Sequence, residues 1–124
     1  MSKPEMMMID DVKYIREDSV KRSAPATNTE GLPYVIVRGD RSGVFAGYLK
    51  DHDDRAVLMV NCRRLWYWDG AASISQIAEE GVSKPENCKF PVPVAKMRIL
   101  DAIEILDATE EARNIIEAVP VWSK

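Results

Sequence analysis

The sequence predicts an α+β fold: an antiparallel β-meander with two short helices, preceded by an N-terminal arm. Apolar, β-rich runs separated by short polar turns begin at Leu32. Further along, two stretches carry apolar residues at helical spacing behind good capping residues. With 124 residues the chain fills one domain and is too short for two ordinary ones.

Residues 1–31 read as an arm or flexible tail, and residues 32–124 as a single ligand-binding domain. In the arm, Met8, Val12 and Ile15 have the spacing of a short helix, and Ser23-Ala24-Pro25-Ala26-Thr27-Asn28-Thr29-Glu30-Gly31 has loop chemistry. The first strand is Pro33-Tyr34-Val35-Ile36-Val37-Arg38. Gly39-Asp40-Arg41-Ser42-Gly43 is a turn, and Val44-Phe45-Ala46-Gly47-Tyr48-Leu49 is the second strand. Lys50-Asp51-His52-Asp53-Asp54-Arg55 reads as a charged hairpin loop. A long third strand then runs from Ala56 to Trp68. Ser73 with Gln76 three residues on is a capping-box pattern for a first helix that Gly81 stops. Thr109 caps a second helix, with Glu110 and Glu111 in its first turn and Ala112, Ile115, Ile116 and Val119 on its apolar face. Between them, residues 90–94 hold two prolines and suit an edge strand or extended segment. Residues 97–106 fit either strand or helix, and Val121-Trp122 returns as a last short strand.

Composition narrows the function. Hydrophobic residues make up 46% and charged residues 30%, a globular balance. No apolar run approaches the ~20 residues of a membrane helix, and the first residues lack the apolar core of a secretory signal. Two cysteines are too few for a disulfide framework and suit a reduced, cytosolic setting. The net charge of -3 argues against binding DNA or RNA polymers, yet leaves room for a small anionic ligand held by a few local arginines.

Catalysis has thin support. The single histidine, His52, lies among aspartates without a nucleophile or orienting partner, so no catalytic residue is assigned. Asp51, Asp53 and Asp54 lack the pattern of a calcium loop, one histidine cannot complete a usual zinc set, and the 39–43 turn lacks the lysine of a phosphate loop. No metal or cofactor is expected.

The densest unusual feature is Arg63-Arg64-Leu65-Trp66-Tyr67-Trp68-Asp69-Gly70. On a strand, Arg64, Trp66 and Trp68 share one face and Arg63, Leu65 and Tyr67 the other. A guanidinium beside indoles suits a ligand with phosphate and purine. The same pattern also suits core aromatics covered by arginines, and both readings stay open. Asp69-Gly70-Ala71-Ala72-Ser73 leads into a helix N-terminus, a common anion site as well as a routine turn. In Lys84-Pro85-Glu86-Asn87-Cys88-Lys89-Phe90, the Asn87 amide suits a base edge and the Phe90 ring suits stacking; a solvated loop anchored by Phe90 fits equally.

The stretches at 39–47 and 63–73, with Pro85-Glu86-Asn87-Cys88-Lys89-Phe90 and Val119-Pro120-Val121-Trp122, resemble the first-described Thoeris anti-defence family of small phage and prophage proteins. The resemblance spans most of residues 32–124 and none of the first 31. It implies a non-enzymatic protein in the cytoplasm of the infected bacterial host. Such a protein sequesters glycocyclic ADP-ribose, a cyclic ADP-ribose isomer, without degrading it and so blocks Thoeris signalling. It further implies a homo-oligomer, dimer or hexamer, and in some members a site for cyclic di- or trinucleotides. For such a ligand, strand alternation nominates Arg64 and Trp68, and ligand chemistry adds Arg41, Asn87 and Phe90. The competing expectation is a phage structural or assembly protein whose Trp-rich patch is a protein interface.

Overall fold

Tyr34, Val35, Ile36 and Val37 are all buried although their side chains alternate in direction. A strand with both faces covered reads as a continuous apolar run, and this one is the framework on which the rest assembles. The computed structural model describes residues 24–123. The helix expected around Met8, Val12 and Ile15 lies outside the described residues. Residues 24–31 are tied to the domain: the Ala26 N–H donates to the Ala108 carbonyl at 3.0 Å, and the Ala26 carbonyl accepts from Tyr34. The domain's contacts therefore begin ahead of residue 32.

Five antiparallel strands form one sheet: β1 (Tyr34–Gly39), β2 (Val44–Asp53), β3 (Ala56–Arg64), β4 (Val94–Ile99) and β5 (Ala102–Asp107), in the order β4-β3-β2-β1-β5. The expected meander is β1, β2 and β3. The undecided stretch 97–106 resolves into strand on both sides of Leu100 and Asp101. Those two residues link strands on opposite edges of the sheet. Edges of a flat five-stranded sheet stand ~19 Å apart, whereas three Cα steps reach ~11 Å, so the sheet curls and its two edges converge at this end. Two hydrogen bonds seal the meeting point: Ala102 N–H to the Arg55 carbonyl (3.0 Å) and Asp40 N–H to the Asp101 carbonyl (2.8 Å).

The curl separates two cores. Val35, Val37, Phe45, Val57, Met59, Cys62, Ile99 and Ala102 fill the inside. There, burial pushes the Cys62 thiol up to about 12. Outside, Tyr34, Ile36, Ala46 and Tyr48 pack against α1 (Ile74–Glu80) and α2 (Glu110–Ala118).

The β2–β3 hairpin is longer than its sequence suggests. The strands continue through the charged stretch and leave Asp54 and Arg55 as the tip, with Asp54 at a φ of 56°. Two register shifts bend it. At the first, Asn61 has a φ of 48°, and a Cβ on Gly47 would stand 2.7 Å from the Cα of Cys62. The bent tip reaches the 39–43 turn, where Arg55 and Asp40 pair at 3.6 Å.

Both helices start where capping chemistry places them. Ser73 Oγ accepts from the Gln76 N–H, and Thr109 Oγ1 from the Ala112 N–H. The first box is offset by one residue, since Gln76 Oε1 takes the Ala72 N–H. Among the described residues no helix is long and apolar enough to cross a membrane.

Candidate functional site

The third strand ends at Arg64, four residues before Trp68, and this boundary decides the fate of the predicted site. Alternation holds through Arg63, Arg64 and Leu65. Arg64 faces Phe45, its guanidinium carbon 4.6 Å from the ring centre, and its Nη1 donates to the Ser42 carbonyl at 2.6 Å. Trp68, beyond the strand, packs half-buried on the helix-side core. The expected pairing of Arg64 with Trp68 on one face is therefore not formed, because strand periodicity cannot be extended past the end of the ladder.

The other nominated residues scatter similarly. Arg41 lies in the 39–43 turn, whose Ser42 carbonyl accepts from Arg64. Its N–H donates to Asp101 Oδ2 (2.8 Å) while its side chain is exposed. Asn87 is engaged with a neighbour of Trp68, donating from Nδ2 to Asp69 Oδ2 at 3.0 Å. Phe90 is 0% exposed, so its ring is core and offers no face to a ligand. At the 69–73 turn, Gln76 Oε1 already takes the Ala72 N–H. The Gly70 carbonyl accepts from the Ser83 N–H.

A different constellation is assembled instead. Tyr67 and Lys89 form a reciprocal antiparallel pair, Tyr67 N–H to the Lys89 carbonyl (3.3 Å) and Lys89 N–H to the Tyr67 carbonyl (2.8 Å). Phe90 bridges Val121 in parallel, and Trp122 N–H donates to the Phe90 carbonyl at 3.0 Å. Three short segments thus lie side by side. Phe90 points inward and its neighbour Lys89 outward. The Lys89 ammonium rests 5.7 Å from the ring centre of Tyr67 and 5.7 Å from that of Trp122. Tyr67 is 51% exposed and Trp122 37%. The surface is a platform of rings around one cation.

Arg63 builds it from below. Only 3% exposed, it donates to four carbonyls: Phe90 (2.7 Å), Pro91 (3.1 Å), Ile116 (3.1 Å) and Val119 (2.9 Å). The last two belong to the C-terminal end of α2, where a cation meets the negative pole of the helix. Its guanidinium also lies 5.6 Å from the Phe90 ring centre. Burial lowers its pKa from the ordinary arginine value, with Tyr34 and Glu117 opposing that shift. Arginine nevertheless remains charged in proteins. Its donor fork joins α2 to the strip carrying Lys89. Nothing in sequence marks Arg63 as buried beyond its sharing a side with Leu65. Lys89 and Trp122 were legible only as a lysine one place before Phe90 and an aromatic after the helix stop.

Fold and surface together define a small curled-sheet and helix domain that presents an aromatic–lysine platform. The chain belongs to the DUF6948 family, a domain of unknown function, whose model matches residues 32–116. Tyr67 and Lys89 lie within the matched region and Trp122 beyond it. No curated protein and no solved structure matches the chain.

Proposed function

We propose that this protein is a non-catalytic binder that sequesters a cyclic ADP-ribose signal, glycocyclic ADP-ribose in the form the Thoeris anti-defence resemblance implies, within the host cytoplasm. The structural observation supporting the reading is the Lys89 ammonium held between two exposed rings. A lysine ammonium is a compact partner for phosphate, and Tyr67 and Trp122 offer π-faces to a purine. Incubation with glycocyclic ADP-ribose, heat denaturation and mass spectrometry should return the ligand intact. Lys89→Ala should weaken binding about tenfold to a hundredfold with little change in the thermal midpoint. Time-dependent loss of intact ligand, or parent-like binding by Lys89→Ala, would overturn the reading.

A second reading draws on Val92 and Val121, exposed apolar side chains flanking the strip that carries Lys89. They suit a protein interface of a phage structural or assembly component. In that case no small molecule is released on heating. Self-association, dimer or hexamer, is part of the first proposal, and light scattering at micromolar concentration should give a mass above the 14.0 kDa monomer.

A further inference from the structure

We propose that the outer face of β2, β3 and β4 binds a short zwitterionic peptide, at a place separate from the aromatic platform. Register sets Asp51, Leu58 and Arg98 side by side across three strands, with Asp53 beside Ala56 in the next row. Val57 and Met59 face the inner core, so Leu58 and its two cross-strand neighbours face outward. Together with His52 and Leu100, these residues line a cleft of about 300 Å³. That volume is at the small end of ligand sites. Two carboxylates stand on one wall, a guanidinium on the other, and an apolar floor lies between. Leu100, 74% exposed, rises beside Arg98.

Among the described residues Asp51, Asp53 and Arg98 form no ion pair. The strands carrying the two walls are two spacings apart, ~9.6 Å between backbones. A ligand that satisfies both walls carries an ammonium at one end, a carboxylate at the other and an apolar group between. Three extended residues span ~10 Å. The opposing guanidinium disfavours a bare metal cation, and the carboxylates disfavour a simple anion.

The test is an amide NMR titration of the full chain with the tripeptide Ala-Leu-Ala, its N-acetylated form and its C-amidated form. Saturable shifts should cluster at residues 51–58 and 98–100, and each capped form should bind about threefold to tenfold more weakly. Arg98→Gln should erase the preference for the free carboxylate alone, and Asp51→Asn with Asp53→Asn the preference for the free amine alone. Absence of shifts at millimolar peptide, or equal affinity for all three forms, overturns the proposal. Lys89→Ala should leave the titration unchanged, so this site and the platform fail or succeed independently.

Discussion

Arg63 and Arg64 are adjacent and chemically identical, yet they serve opposite sides of the sheet under opposite conditions. Arg63 is sealed under α2, and all its described polar contacts are backbone carbonyls. Arg64 lies at the end of the curled sheet, half-buried, with one carbonyl and one ring. A guanidinium's role follows from which side of the strand it leaves, and the buried one organises more structure than the accessible one.

The largest effect is expected at Arg63. Arg63→Met keeps the aliphatic stem but removes four hydrogen bonds. The Phe90 and Ile116 carbonyls keep the Trp122 and Val119 N–H donors, while those of Pro91 and Val119 lose the Arg63 donor. The change should cost about 3–5 kcal/mol in urea denaturation. Domains of this kind have ~5–15 kcal/mol in total. Arg63→Lys keeps the charge but loses the planar fork and should fall between. A loss under about 1 kcal/mol for Arg63→Met would show that α2 and the strip carrying Lys89 are held without it.

Phe90→Ala tests the same region from its apolar side. The ring is fully buried and in contact with the Arg63 guanidinium, so removal should cost about 3–5 kcal/mol. The sequence reading of Phe90 as a stacking residue expects no stability change. The two accounts therefore separate on a single melting curve.

How far the sequence was legible follows from the range of the forces involved. Helix caps at Ser73 and Thr109, the stop at Gly81 and the meander of the first three strands are set by local chemistry, and all are found. The stretch 97–106 fits strand or helix in sequence alone because its strand character comes from pairing with β3 on one side and β1 on the other. These partners lie tens of residues away. The curl of the sheet rests on the two-residue link at Leu100 and Asp101, visible only once strand order is known. The site scattered for the same reason. Alternation works while a ladder enforces it, so Arg63 and Leu65 were grouped correctly and Trp68 was not. The inward turn of Phe90, which exposes Lys89, depends on bridges to Tyr67 and Val121 that no local pattern announces.

Arg64 offers a smaller effect. Arg64→Ala removes the bond to the Ser42 carbonyl and the contact over Phe45, both at a half-exposed position. Denaturation should show a loss of about 1–2 kcal/mol, well short of that for Arg63→Met. Equal losses for the two arginines would dissolve the contrast between the sealed and accessible sides.

The smallest effect concerns the same turn and depends on pH. The Asp101 carboxylate accepts from Ser42 Oγ (2.5 Å), the Arg41 N–H (2.8 Å) and the Ser42 N–H (3.0 Å). The Ser42 hydroxyl first, and then the backbone donors, hold its pKa below the ordinary aspartate value. A carboxyl whose pKa is lower folded than unfolded adds stability that is fully present above the unfolded value, ~3.9. As pH falls the unfolded chain takes the proton first, so that contribution fades and is gone below the folded pKa. Asp101→Asn removes the titration; both N–H donors already share one oxygen, Oδ2, which an amide oxygen can replace, while the acceptor of the Ser42 hydroxyl, Oδ1, gives way to an NH2 group. Parent and variant should therefore differ most near neutral pH and converge below about pH 4. Only the difference between the two proteins isolates this group, since other carboxylates titrate in both. A gap that stays constant into acid would mean the carboxylate's charge contributes nothing, and that the 39–43 turn is held by the Arg64 bond to Ser42 and by its backbone alone.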